Sequence, residues 1–542
     1  MKHVLLSLLL LFSLNAPAQD LTTQVDALLG EQYKADGPGA VALISKGGKT
    51  IYRKAFGMAS MENNVALTPE HVFEIGSITK QFTAVSILML LEQGKLSLED
   101  PINKYIENYP MHGHTITIHH LLTHTSGIKS YTGMERWTKL WRNDMTPQEM
   151  IDLFKGEPMD FAPGEKYLYN NSAYFMLGHI IEKTSGVSYP DFVEKNIFAP
   201  LGMKNSYYGS KSKIIKNRAL GYQKAEEYIN AEYLSLTQPY AAGSIMSTVD
   251  DLLLWNTAVH ANKLVKKETL QKAFTNYKLN NGKLINYGYG WGLNDINGSA
   301  TFEHSGGIFG YTTNAIYLPK EDVFVAVFSN CNCNPPGDVS TKMAALAIDK
   351  PYANQIAKIT LEVNYAKSLT GVYEFEDGAT RIITAEGGQL YSQRSGGEKF
   401  KLIAQDKSNF SFENSFSILQ FSTTKAGVTE AIFKERIDHT KGVKTNKPIP
   451  THTEVSVSEE VLKKYVGVYE IQPGFALTIT LENGHLMTQA TGQQKFEIFP
   501  ESQTKFFLKV VDAQLEFFPN AEGKVESLML YQAGRSIPGK KK

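Results

Sequence analysis

Cysteine is almost missing from this chain: Cys331 and Cys333 are the only two in 542 residues. A disulfide-stapled scaffold and a cysteine-rich zinc module are thereby excluded. With one residue between them, the pair reads as two reduced or surface thiols rather than a bridge. An excess of charge is missing too. Lys plus Arg total 55 and Asp plus Glu total 55, so no long-range field gathers nucleic acid or an anionic membrane surface. Past the first residues no apolar run is long enough to span a bilayer. What remains, 42% hydrophobic and 20% charged residues, is the composition of a globular protein. At roughly 150 residues per domain, its length suggests three to four domains.

The chain begins Met1-Lys2-His3, continues apolar from Val4 to Leu14, and reaches Ala16-Pro17-Ala18-Gln19. A charged start, a short apolar core and an Ala-x-Ala site form a secretory signal peptide over 1–18. The mature protein is then expected to start at Gln19 and to be secreted, or periplasmic where an outer membrane exists, with no integral membrane segment left after cleavage.

Residues 19–350 mix strands and helices. Ala40 to Ile44 and Thr50 to Phe56 flank Gly47-Gly48 as a β-hairpin does, and Ala315 to Leu318 and Val323 to Phe328 flank a second turn. Between them, Ile78, Phe82, Val85, Leu88, Met89 and Leu91 make a helical stripe closed by Gly94, and another helix is expected from Ser172 to Thr184. Strands at both ends with helices between predict an α+β domain built on one antiparallel sheet. The remainder repeats itself. Gly371-Val372-Tyr373-Glu374 returns as Gly467-Val468-Tyr469-Glu470, 96 positions on, and Lys399-Phe400 and Phe421 return at the same offset as Lys495-Phe496 and Phe517. Short alternating runs between glycine turns predict two small all-β barrel-like modules, 366–445 and 461–542, joined by a Pro/Thr-containing linker over 446–460. Neither carries a catalytic cluster, so binding or assembly is their expected work, including homo-oligomer contacts.

Three short patterns carry chemistry. Ser77-Ile78-Thr79-Lys80 puts a hydroxyl and an amine on one face of a helix start, where the amine can activate the hydroxyl as a nucleophile. Five Ser-x-x-Lys sequences occur, at Ser77, Ser126, Ser210, Ser422 and Ser502, but only that at Ser77 opens a strongly apolar helix. Tyr169-Asn170-Asn171 offers a phenol whose phenolate a nearby lysine could stabilise as a base, and an amide able to bind a substrate carbonyl. His304-Ser305-Gly306-Gly307, the chain's single His-x-Gly, follows a strand-like run. Its glycines would let a substrate lie along the strand edge, and a backbone N–H there could share an oxyanion with that of Ser77. Taken singly, each pattern also describes ordinary structure: a helix N-cap with an exposed lysine, a turn tyrosine, a packed histidine.

Their order resembles the serine β-lactamase and penicillin-binding-protein superfamily, nearest its class C, esterase and D-aminopeptidase branch. Phe73-Glu74-Ile75-Gly76, Leu121-Leu122-Thr123-His124-Thr125-Ser126-Gly127, Pro200-Leu201-Gly202-Met203, Ala242-Gly243-Ser244 and Tyr287-Gly288-Tyr289-Gly290-Trp291-Gly292 add to the likeness. The resemblance implies that Ser77 is acylated, Lys80 polarises it and Tyr169 shuttles protons. Asn171, His304, Ser305, Gly306 and Gly307 would bind substrate, with Gly307 giving the second oxyanion N–H, and neither metal nor organic cofactor would be needed. Asn170 replaces a frequent serine, a neutral change if its side chain points away. A histidine at 304 replaces a fixed cation, favouring a peptidase or esterase over a dedicated β-lactamase. The implied substrates are D-amino-acid peptides, peptidoglycan fragments or small esters. The alternatives are a penicillin-recognising sensor and a pseudoenzyme acting through its β modules, which look similar to lipocalin-like barrels of this branch.

Overall fold

Ala40–Lys46 is buried at six of its seven positions and Val323–Ser329 at all seven, which a strand tolerates only in a sheet covered on both faces. These two strands pair with each other as the fourth and fifth of a six-stranded antiparallel sheet, in the order Gly292–Ile296, Ser299–Ile308, Tyr311–Leu318, Val323–Ser329, Ala40–Lys46, Lys49–Phe56. Helices Leu21–Gln32 and Gly337–Ala347 pack together, the first also against the edge strand Lys49–Phe56 and the second against the inner strands, which Val249–His260 also contacts. The computed structural model describes residues 20–210, 212–352, 359–413, 415–423, 429–450, 452–472, 474–532 and 535–542. The expected signal peptide and its cleavage point lie outside them.

The helix Thr79–Glu92 departs from the single apolar stripe read in its sequence. Thr79, Lys80, Gln81, Thr83 and Ser86 are buried along with its apolar residues, so it runs through the core rather than over it. Phe82 stacks on Trp255 with 4.0 Å between ring centres, and the helix packs against Asn171–Ser185. Asn170 caps that second helix, its side chain accepting from the Ala173 N–H.

Cys331 and Cys333 are joined in a disulfide, correcting the expectation of free thiols. The chain turns at Asn332 as it leaves the sheet, which brings the two Cα atoms to 5.1 Å, within the span a disulfide bridges.

Contacts divide the chain into two units, 1–351 and 352–542. The second unit contains two closed eight-stranded antiparallel barrels, whose first strands are Gly371–Phe375 and Gly467–Gln472 and whose last are Asp438–Lys444 and Arg535–Lys541. A short helix precedes each. Val363–Leu369 gives Ala366 and Leu369 to the first core, and Glu459–Tyr465 gives Leu462 and Tyr465 to the second. The tyrosines of the repeated Gly-Val-Tyr-Glu tie helix to barrel: Tyr373 donates to the Leu369 carbonyl and Tyr469 to the Tyr465 carbonyl, both at 2.8 Å. Among the described residues no helix is long and apolar enough to cross a membrane.

Candidate active site

Ser77 lies in the 3-10 turn Gly76–Ile78 that leads into the core helix. Its side chain makes no cap, and the turn is held from outside instead. The Ile75 N–H donates to the Ile245 carbonyl, and the Thr313 hydroxyl donates to the Ile75 carbonyl. Gly76 has φ +52°, and a Cβ there would sit 2.9 Å from the Gly307 nitrogen. A Cβ on Gly306 would fall 2.0 Å from the Ile75 carbonyl oxygen. Two glycines thus let the strand Ser299–Ile308 press against the nucleophile turn, which sets the Gly307 N–H beside the backbone of Ser77.

Lys80 is fully buried. Its Nζ lies 3.0 Å from Ser77 Oγ, 2.9 Å from Asn171 Oδ1 and 2.9 Å from the Ala242 carbonyl oxygen. It also stands 4.7 Å from the Tyr169 ring centre and 5.6 Å from that of Tyr174. Burial holds the ammonium well below the ordinary lysine range. As a neutral amine, Lys80 gives its two N–H bonds to the two carbonyl oxygens, and its lone pair is left for the Ser77 O–H.

The Tyr169 hydroxyl lies near that of Ser77. Over a third of it is exposed, yet its hydroxyl is packed by protein, and loss of solvation raises the phenol above its ordinary value despite the opposing influence of Ser77. The phenolate base considered from the sequence is therefore disfavoured. A neutral O–H beside Ser77 and Lys80 can still relay a proton.

Asn171 faces the cleft, its Nδ2 donating to Thr132 Oγ1 at 3.2 Å. Its neighbour Asn170 points away. The Asn170 side chain donates to the Ile128 carbonyl and caps the helix, as neutrality at that position requires.

The His-x-Gly residues separate. They lie inside the strand rather than after it. Gly307 lines the cleft, while Gly306 is spent on the close approach to Ile75. Ser305 is exposed. His304 is buried behind Tyr169, with 6.0 Å between ring centres. Its Nδ1 donates to the Ser305 carbonyl at 2.6 Å and its Nε2 accepts from the Tyr287 hydroxyl at 3.0 Å. That pairing fits a neutral ring, and burial, with the charge of Lys80 second, pushes its pKa down to about 3.

Ser77, Asn171 and Gly307 open onto a cavity of about 340 Å³ that Trp137, Phe309 and Asn332 help to wall. The sequence assigned no role to His124, although it stands in the Leu-Leu-Thr-His-Thr-Ser-Gly run. Held at φ +58°, it accepts the Leu168 N–H on its carbonyl and the Asn170 N–H on its Nδ1. It thereby grips the chain on both sides of Tyr169, and its ring lies 4.4 Å from the tyrosine ring. A lone histidine carries no sign of this in sequence, since the grip depends on a contact 46 residues away. Among the described residues no group of three or more His, Cys, Asp or Glu is placed to hold a metal ion.

Comparison with known proteins places the chain's family and fold. A profile of the beta-lactamase family matches residues 24–350, and one for a domain of unknown function matches 451–541. Penicillin-binding protein 4* of Bacillus subtilis is 27% identical over 525 residues, covering 93% of this chain and 95% of the relative. Among solved structures, the octameric penicillin-binding protein homologue from Pyrococcus abyssi aligns with a TM-score of 0.54 and 28% identity, over 78% of this chain and 99% of its own. The D-amino acid amidase of Ochrobactrum anthropi aligns at 0.55 with 24% identity, over 61% of this chain and 99% of its own, which establishes a shared fold.

Proposed function

The chain belongs to the beta-lactamase and penicillin-binding-protein superfamily, and from that premise we propose that it is an exported serine hydrolase forming an acyl-enzyme on Ser77. Its substrates are amides or esters of small molecules or peptides: D-amino-acid peptides, peptidoglycan fragments or small esters. The observation that carries this reading is the buried Lys80 amine, 3.0 Å from Ser77 Oγ with both its other contacts on carbonyl oxygens.

In the first half-reaction the Ser77 proton passes to the Lys80 lone pair as Oγ bonds the substrate carbonyl carbon. The oxygen that gains charge is met by the N–H groups of Ser77 and Gly307. As the bond to the leaving group breaks, that group takes a proton from the Tyr169 O–H, and Lys80 replaces it. In the second half-reaction water gives its proton through Tyr169 to Lys80 and attacks the ester. The acid is released and Ser77 is re-protonated. Asn171 holds the substrate amide, and the apolar wall of Trp137 and Phe309 suits an uncharged side chain. A neutral His304 supplies no fixed cation for a carboxylate, which favours peptidase or esterase chemistry over a dedicated β-lactamase.

The test is intact-mass analysis of the protein and its Ser77→Ala variant after a fluorophosphonate and, separately, a penicillin, together with turnover of a short-chain ester and a D-alanine anilide. The hydrolase gives a Ser77-dependent adduct and releases product. A penicillin adduct that never turns over would identify a sensor, and no adduct at all would leave the β modules to do the protein's work.

A further inference from the structure

The first barrel contains a cation that its fold does not use. Arg381 is 9% exposed, and among the described residues its guanidinium makes no hydrogen bond or ion pair. It lies against phenyl rings instead, 3.8 Å from the centre of Phe433, 5.6 Å from Phe412 and 5.9 Å from Phe375. Stacking occupies the face of the group and leaves its in-plane N–H donors unspent. Asp377 and Glu435 are near enough to feel its charge without pairing with it.

The strand register adds a second cation. Arg381 stands directly opposite Arg394, whose guanidinium has a long ion pair of 3.9 Å with Asp377, while the next inward pair is Ile383 and Ser392. Like charges placed opposite one another destabilise a sheet, yet here they face each other at the end of the barrel remote from its helix plug. Ser392 is completely buried and its Oγ has no partner, whereas no guanidinium nitrogen of Arg381 is sealed in this way. The donors of Arg381 therefore keep a path to solvent, and an unused hydroxyl lies deeper on the same wall.

The second barrel shows that the architecture does not require any of this. At the matching register positions it has Leu477 for Arg381, Ala490 for Arg394, and Ile471, Leu508 and Leu530 for the three phenylalanines. The same topology there closes with aliphatic residues at these positions and no arginine at either place.

We propose that the first barrel is a binding site for an amphipathic oxyanion, its carboxylate or phosphate held between Arg381 and Arg394 and its apolar part laid on the half-buried Phe433, behind which Phe375 and Phe412 are buried in the core. A guanidinium matches either head group with paired hydrogen bonds, and Phe433 supplies apolar area that an inorganic ion would not use.

The experiment is calorimetric titration of the full chain with octanoate and with octyl phosphate, against octanol and inorganic phosphate as half-ligands. Saturable binding of an octyl anion is expected, at least about tenfold tighter than either half-ligand, and weakened at least about tenfold by Arg381→Leu. Whichever anion binds more tightly identifies the head group. Arg381→Leu places the second barrel's own residue in the first, so it should fold, as thermal melting will show. Arg394→Ala, at a position 59% exposed, gives an independent reading and should weaken binding about threefold or more. The proposal is overturned if neither octyl anion binds at millimolar concentration, or if binding in both arginine variants is unchanged from the parent.

Discussion

The catalytic unit and the first barrel each enclose a cation without an ion-pair partner, and they deal with the cost in opposite ways. Lys80 is surrounded by acceptors and can lose its proton, so burial turns an ammonium into a base. Arg381 cannot do the same. Burial and the neighbouring Arg394 bring its pKa down to about 10, which still leaves it charged at neutral pH, stacked on rings and without hydrogen bonds. The difference teaches that a buried cation is not one kind of feature. Where neutralisation is open to the side chain the site makes a catalyst, and where it is closed the site keeps an unspent charge that something outside the chain must answer.

The comparison breaks most sharply if the two side chains are made alike. Lys80→Arg puts a permanent cation where the lone pair stood, and should lower kcat/KM for ester hydrolysis by about a thousandfold or more, with Ser77 acylation in mass spectra lost in parallel. If that variant remains active, Lys80 is not the base. The next largest effect is expected from Leu477→Arg in the second barrel, which has Ile471, Leu508 and Leu530 where the first has its three rings. Thermal or denaturant unfolding should show a loss of about 3 kcal/mol, whereas an innocuous change would mean that the rings around Arg381 are dispensable.

The pH dependence sharpens the contrast further. Because the Lys80 pKa is lowered in the folded state, the unfolded chain binds one more proton between the two values, and stability rises with pH across that window. Lys80→Met should therefore melt higher than the parent near pH 7, and the advantage should vanish above about pH 10.5, where a free lysine is also neutral. The acidic limb of the wild-type kcat/KM profile should fall well below that same pH. The smallest effect is reserved for Asn170→Ala, which removes a helix cap while leaving the cleft-facing Asn171 in place. It should cost about 1 kcal/mol in stability with little change in KM.

Much of this is legible in the amino-acid sequence. The two hairpins around paired turn residues, the helix ending before Gly94 and the 96-residue repeat all rest on local patterns, and the sheet and barrels have the strands these imply. Ser77, Lys80, Tyr169, Asn171 and Gly307 could be named from motif order, and they converge in one place. What escaped depends on where a chain segment stands relative to others. The disulfide follows from a reversal at Asn332 that residue spacing alone does not specify. The choice between phenol and phenolate at Tyr169 turns on how closely protein packs its hydroxyl. The grip of His124 on the Tyr169 segment needs a left-handed residue in one loop and free N–H groups in another. Arg381 was within reach, because setting the repeats side by side puts an arginine opposite a leucine, but only the register reveals that both point inward.

The disulfide has one more consequence, a practical one. With both cysteines joined and no free thiol remaining, the folded chain is a blank background for thiol labelling. A single cysteine introduced at the rim of either barrel would be the sole target of a maleimide dye or spin label, so ligand capture in one barrel could be followed by spectroscopy while the other serves as its internal reference.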